Sequence, residues 1–217
     1  MIERFGLYLV MTNPVAGYER CAEAAVQARL RYLQLRMKRV PREHVEATAR
    51  AVRAITAGST TRFILNDDAD LAARIGADGV HLGQTDEPIH AARARHPNLL
   101  FGLSTHDAIQ AGAACANQPD YIGVGPVFAT PTKEIPDPTL GLDTLGAIIR
   151  QSPVTTVAIG GIHAGNLPDV LRAGAINFAV VRDVCASANP YDVIRRLQDI
   201  WERFTDPTRC ESPRPSH

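Results

Sequence analysis

The stretch RFILNDDADLAARIGADGVHLGQTD, residues 62–86, holds one structural unit and the start of the next. RFIL (62–65) is a short apolar run, DADLAARI spaces its apolar residues three and four apart as a helix does, and GVHL (79–82) is strand-like again. Between helix and strand lies IGADGV (75–80), where a glycine suits the left-handed cap that reverses the chain. A strand, a helix and a second strand joined in this way predict a parallel pair.

The same alternation runs outward in both directions. Strands are predicted at FGLYLVMT (5–12), YLQLRM (32–37), LLFGLS (99–104), YIGVG (121–125), VTTVAIG (154–160) and NFAVV (177–181), which with the two above makes eight. Helices are predicted at YERCAEAAVQARL, REHVEATARAVRAITA, HDAIQAGAACA and a closing YDVIRRLQDIWERF, and RAGAINF (172–178) repeats the glycine-bearing turn. Eight strands with intervening helices in 217 residues predict an α/β fold, a single (β/α)8 TIM barrel over residues 1–204. The polar, Pro-rich DPTRCESPRPSH that follows is expected to form a disordered tail, 205–217.

Composition narrows the partners. Lys plus Arg and Asp plus Glu both number 23, so no global charge favours nucleic acid or an anionic membrane, and a small-molecule partner fits better. MIERFGLYLVMTNP holds too short an apolar run for a secretion signal or a span, which leaves the cytoplasm as the expected location. Cys21, Cys115, Cys185 and Cys210 have no metal-like spacing and are expected to be reduced structural thiols.

In such a barrel the active site gathers at the C-terminal ends of the strands. Those ends carry Gln34, Arg36 and Lys38; Asn66, Asp67 and Asp68; His81, Gln84 and Asp86; Ser104 and His106; Thr130, Thr132 and Lys133; Gly160 and Gly161; and Arg182. In QLRMK, strand alternation points Gln34, Arg36 and Lys38 to the inside and Leu35 and Met37 to the helices. Cations there need partners: a structural ion pair with Asp67 or Asp86, or a multiply charged anion. The anion is favoured, because the cations exceed what one pair requires.

Asp67 and Asp86 follow successive strands and could converge on a Mg²⁺ that also holds phosphate oxygens. The competing role for Asp67 is a helix cap, since NDD precedes a helical pattern. AIGGI (158–162) puts two glycines where the loops after strands seven and eight of barrels often bind phosphate, although a glycine pair can also make a plain tight turn. GVGPVFATPTKEIPDPTLGL (123–142) is a long loop whose Thr130, Thr132 and Lys133 stand just beyond a strand.

Taken in order, QLRMK, NDD, GVHLGQTD, GLSTH, GVGPVFATPTK and AIGGI resemble the thiamine phosphate synthase and thiazole tautomerase family over nearly the whole barrel. The resemblance implies a Mg²⁺-dependent transferase that joins hydroxymethylpyrimidine pyrophosphate to a plain or carboxylated thiazole phosphate. It implies that Gln34, Arg36, Lys38, Asn66, Ser104 and Lys133 bind the pyrimidine pyrophosphate, with Arg36, Lys38 and Lys133 catalytic. Asp67 and Asp86 would hold the metal, and Thr130, Thr132, Gly161, Val181 and Arg182 would line the thiazole phosphate site. Arg182 stands where members of that family usually carry Ser or another small polar residue, so it either pairs with phosphate or turns outward to Asp183. Two other readings are a tautomerase, whose relatives tend to lose the TxTK pattern and carry a His near the position of Pro126, and a noncatalytic phosphate-ligand-binding barrel. Partners are expected to be these small molecules, with no nucleic acid and no membrane; a homo-oligomer stays open.

Overall fold

The structure, a computed structural model, describes residues 2–130 and 138–206. Eight parallel strands close into a barrel in sequence order: β1 (Leu7–Met11), β2 (Tyr32–Leu35), β3 (Arg62–Asn66), β4 (Gly79–Leu82), β5 (Leu100–Thr105), β6 (Tyr121–Val124), β7 (Thr155–Ala158) and β8 (Phe178–Val180). Closure comes from β1 against β8, with Leu7 opposite Phe178 and Leu9 opposite Val180. Helices α1 (Tyr18–Gln27), α2 (Arg42–Thr56), α3 (Ala69–Ile75), α4 (Ile89–Arg95) and α5 (Ala108–Ala116) follow the first five strands. After β6 to β8 come α6 (Gly141–Gln151), α7 (Leu167–Arg172), the four-residue α8 (Arg182–Cys185) and the closing α9 (Pro190–Thr205). No helix among the described residues is long and apolar enough to cross a membrane. Of the expected tail only Thr205 and Asp206 are described, and Thr205 ends α9.

Alternation along the strands sorts the side chains into two cores. Leu7, Leu9, Leu33, Leu35, Phe63, Leu65, Val80 and Leu82 point outward and pack with the inner faces of the helices. Tyr8, Val10, Tyr32, Ile64, Tyr121, Val157 and Ala179 point inward and fill the barrel itself. The turn chemistry agrees with the sequence at α3: the Asp68 carboxylate accepts the Leu71 N–H at 2.8 Å, and Gly76 ends the helix at φ 71°.

Outside the barrel, the Trp201 indole of α9 lies across Gly6 and donates to the Ile176 carbonyl at 2.8 Å. A Cβ on Gly6 would come within 2.9 Å of that ring. Gly79 has a similar constraint in the sheet, where a Cβ would stand 2.5 Å from the Leu100 carbonyl oxygen. Backbone cannot rotate away as a side chain can, so Gly79→Ala must separate β4 from β5. The expected loss is about 1–3 kcal/mol of stability, read as a lower midpoint in urea unfolding; an unchanged midpoint would mean that the contact is slack.

Candidate active site

A cavity of about 1000 Å³ opens at the C-terminal ends of the strands. Its floor is the inner core, and its walls are the strand ends that the sequence singles out. Gln34, Arg36, Asn66 and Ser104 line it on one side, and Thr130, Gly160, Gly161, Val181 and Arg182 line it elsewhere. Thr132 and Lys133 lie outside the described residues.

The floor is polar in one continuous line. Gln34 on β2, only 3% exposed, donates from Nε2 to the Tyr8 hydroxyl at 2.9 Å. The Tyr8 hydroxyl meets that of Tyr121 at 2.8 Å. Tyr121 meets His81 Nδ1 at 3.1 Å, and His81 Nε2 meets Ser104 Oγ at 2.9 Å. Burial pushes both phenols well above their ordinary pKa, so they stay neutral. Gly102 makes room for this line: a Cβ there would stand 2.4 Å from the Tyr121 hydroxyl and 2.6 Å from His81 Nδ1.

The cations of QLRMK separate. β2 ends at Leu35, so strand alternation governs Gln34 alone. Arg36 still reaches the cavity wall, and its guanidinium has no hydrogen bond or ion pair with another described residue. Lys38 instead bonds the Asp67 carboxylate, so for this residue the structural ion pair is present. Met37 packs against the outer core, as the alternation implies.

Asp67 and Asp86 are brought together. Burial raises the Asp67 pKa above its ordinary value; the hydrogen bond from Lys38 opposes that, and the neighbouring Asp86 charge adds to it. Asp86 also accepts the Gly83 N–H at 2.6 Å. The helix cap belongs to Asp68 rather than to Asp67, which stands outside the helix at φ 70° with its N–H on the His81 carbonyl. Asp68→Ala is therefore expected to cost about 0.5–2 kcal/mol in unfolding free energy while Asp68→Asn costs little. Equal losses in the two variants would show that the cap contributes nothing.

The glycine pair has a second cause besides ligand approach. Gly160 and Gly161 adopt φ 102° and 66°, and a Cβ on Gly160 would fall 2.4 Å from the Pro126 Cα. On Gly161 it would fall 2.7 Å from the Phe128 Cβ. The loop after β6 sits directly on these glycines, with Val127 N–H on the Ile159 carbonyl and Phe128 N–H on that of Gly160. Beside them Arg182 lines the cavity, while the Asp183 carboxylate accepts the Ala164 N–H at 3.0 Å. Arg182 has no ion pair with Asp183, which removes the outward alternative.

Several lining residues received no role from the sequence. Tyr8 and Tyr121 sit inside apolar runs, His163 lies in a loop, and His81 and His106 figure only as members of the strand ends. His106 Nδ1 meets the Gly125 carbonyl at 2.7 Å, tying β5 to the loop after β6. Inward parity within a strand was the available signal: Tyr8, Tyr121 and His81 all share the inward register of their strands.

Comparison with known proteins gives one consistent result. A family profile described as thiamine monophosphate synthase matches residues 7–184. The thiamine-phosphate synthase of Anaeromyxobacter dehalogenans is 40% identical over 200 residues, covering 91% of this chain and 88% of that protein. That of Myxococcus xanthus is 40% identical over 174 residues, 80% of each chain. Among solved structures, thiamine phosphate pyrophosphorylase from Pyrococcus furiosus superposes with a TM-score of 0.85 at 28% identity, covering 92% of this chain and 96% of that one. The tautomerase and noncatalytic readings are not favoured by these relatives, and the activity is thiamine phosphate synthesis, a transferase reaction. The chain belongs to the thiamine monophosphate synthase family.

Proposed function

We propose that this cavity joins hydroxymethylpyrimidine pyrophosphate to a thiazole phosphate, plain or carboxylated, and releases pyrophosphate, together with CO₂ when the thiazole is the carboxylated one. The observation that carries the reading is a cavity lined by one guanidinium after β2, Arg36, and another after β8, Arg182, with the Asp67–Asp86 carboxylate pair beginning next in the chain to the lining residue Asn66. Gln34, Arg36, Asn66 and Ser104 hold the pyrimidine substrate, and Lys38 and Lys133 serve its pyrophosphate. Thr130, Thr132, Gly161, Val181 and Arg182 hold the thiazole phosphate.

Asp67 and Asp86 fit Mg²⁺, which takes one or two carboxylates and keeps waters and phosphate oxygens for its other positions. Their shared repulsion, only partly answered by Lys38, is what a cation between them would relieve. When bound, Mg²⁺ supplies positive charge to the leaving pyrophosphate. The chain's own residues do the rest. The bond from the pyrimidine methylene carbon to oxygen breaks, its electron pair leaves with the pyrophosphate, and Arg36 meets the growing charge. The thiazole nitrogen then gives its lone pair to the same carbon. Val157, Ile159, Phe128 and Val181 line that space with apolar surface and keep water from the electrophilic carbon.

A cytoplasmic setting belongs to the same reading, since Cys21, Cys115 and Cys185 are free thiols. Purified protein given both substrates and Mg²⁺ should form thiamine phosphate, and a chelator should stop it. No product with either thiazole form overturns the reading; product formation unchanged in excess chelator removes the metal from it.

A further inference from the structure

The five groups on the cavity floor constrain one another more tightly than four separate hydrogen bonds would. A phenol has a single hydrogen, and both Tyr8 and Tyr121 keep theirs. Because Tyr8 accepts from Gln34 Nε2, its own hydrogen goes to Tyr121. The Tyr121 hydrogen then goes to His81 Nδ1. An imidazole that accepts at Nδ1 carries its proton on Nε2, so His81 donates to Ser104 Oγ. At one end of the line the Ser104 hydrogen is left to point into the cavity. At the other, the Gln34 Oε1 has no partner among the described residues.

We propose that Tyr8, Tyr121 and His81 are positioning residues which, through this one-way line, make Gln34 Oε1 an acceptor and the Ser104 hydroxyl a donor toward the substrate, so that the site selects a ring offering an amino N–H to Gln34 and an unprotonated ring nitrogen to Ser104. The selectivity rests on the reading that the pyrimidine substrate occupies this wall, since an aminopyrimidine carries both features. An oxo analogue, with a carbonyl for the amino group and an N–H for the ring nitrogen, mismatches both ends. Sites built to hydrogen-bond a substrate reject the wrong partner by roughly 10⁴-fold.

The test begins with the free protein. ¹⁵N spectra of histidine-labelled protein, with His81 identified from a His81→Gln difference spectrum, should show a protonated Nε2 and a bare Nδ1. A ring protonated on Nδ1, or on both nitrogens, overturns the proposal. Tyr121→Phe cuts the line and should erase that preference; it should raise the KM of the pyrimidine pyrophosphate roughly 5- to 150-fold and leave that of the thiazole phosphate unchanged. Should that variant fail to fold, Tyr8→Phe cuts the line one step earlier. Tyr32→Phe is the control: its ring packs against Tyr8 and Tyr121, but its hydroxyl serves Glu3 and Arg62 outside the line. If Tyr32→Phe alters the His81 ring and the pyrimidine KM as much as Tyr121→Phe does, packing is the cause and the proposal fails. The spectra need no substrate, so a correct tautomer in a protein that forms no product would sink the functional reading alone.

Discussion

Arg36→Gln should lower the rate of thiamine phosphate formation roughly 100- to 1,000-fold at saturating substrates, the usual effect of removing a donor aimed at developing charge, about 2.7–4 kcal/mol. The guanidinium reaches the cavity wall without a partner among the described residues, so its charge is not committed to holding the fold. Gln keeps most of the length and polarity and removes the charge. Unfolding should therefore change little, and the loss should fall on kcat more than on KM, because the charge that Arg36 answers grows in the transition state. A variant that turns over at the parent rate would remove Arg36 from the chemistry. One that loses only affinity would make Arg36 a binder of the ground state.

The second large effect is expected at the carboxylate pair. Asp86→Asn and Asp67→Asn keep shape and remove one negative charge, and each should raise the Mg²⁺ concentration needed for half-maximal activity by more than about 100-fold, beyond what loss of an outer partner of a metal ligand typically costs. A reading independent of turnover is available. Mg²⁺ at 100 times its Kd should stabilise the parent by about 2.7 kcal/mol, visible as a rise in Tm, and that rise should disappear in both variants. Because the Asp67 pair is held by Lys38 on one side, Asp67→Asn also frees that ammonium. Asp86→Asn is the cleaner of the two. If Mg²⁺ raises the Tm of Asp86→Asn as it does that of the parent, the pair is not a metal site.

The barrel was legible because parallel strands covered on both faces must be apolar on both faces, and all eight predicted runs contain the observed strands or nearly so. β2 shows where pattern stops carrying information. Alternation was carried through Lys38, but the strand ends at Leu35, and beyond it side-chain direction is set by loop contacts such as that between Lys38 and Asp67. NDD posed a different difficulty. Adjacent aspartates are interchangeable as caps on composition, and only the backbone decides that Asp68 faces the helix and Asp67 does not. Tyr8 and Tyr121 were hidden for a third reason. Their hydroxyls acquire meaning from each other across 113 residues of chain, a separation at which no local pattern reports contact. The glycine pair lines the cavity, yet half its cause lies in the loop that rests on it.

Trp201 is the sole tryptophan of the chain, and it stands at the opposite end of the barrel from the cavity, over Gly6 just before β1. Intrinsic fluorescence is therefore a local gauge of how the final helix docks on the first strand. Arg4, whose guanidinium lies 5.5 Å from the indole, adds a nearby charge to which the emission responds. Substrate or Mg²⁺ titrations followed at this wavelength should be nearly silent, and a chelator should leave the emission maximum in place. Chemical denaturation followed the same way will report the undocking of one helix, whereas the tyrosines inside the barrel report the opening of its interior. Where the two signals part company, the molecule has a partly opened form in which the last helix has left a still-closed sheet.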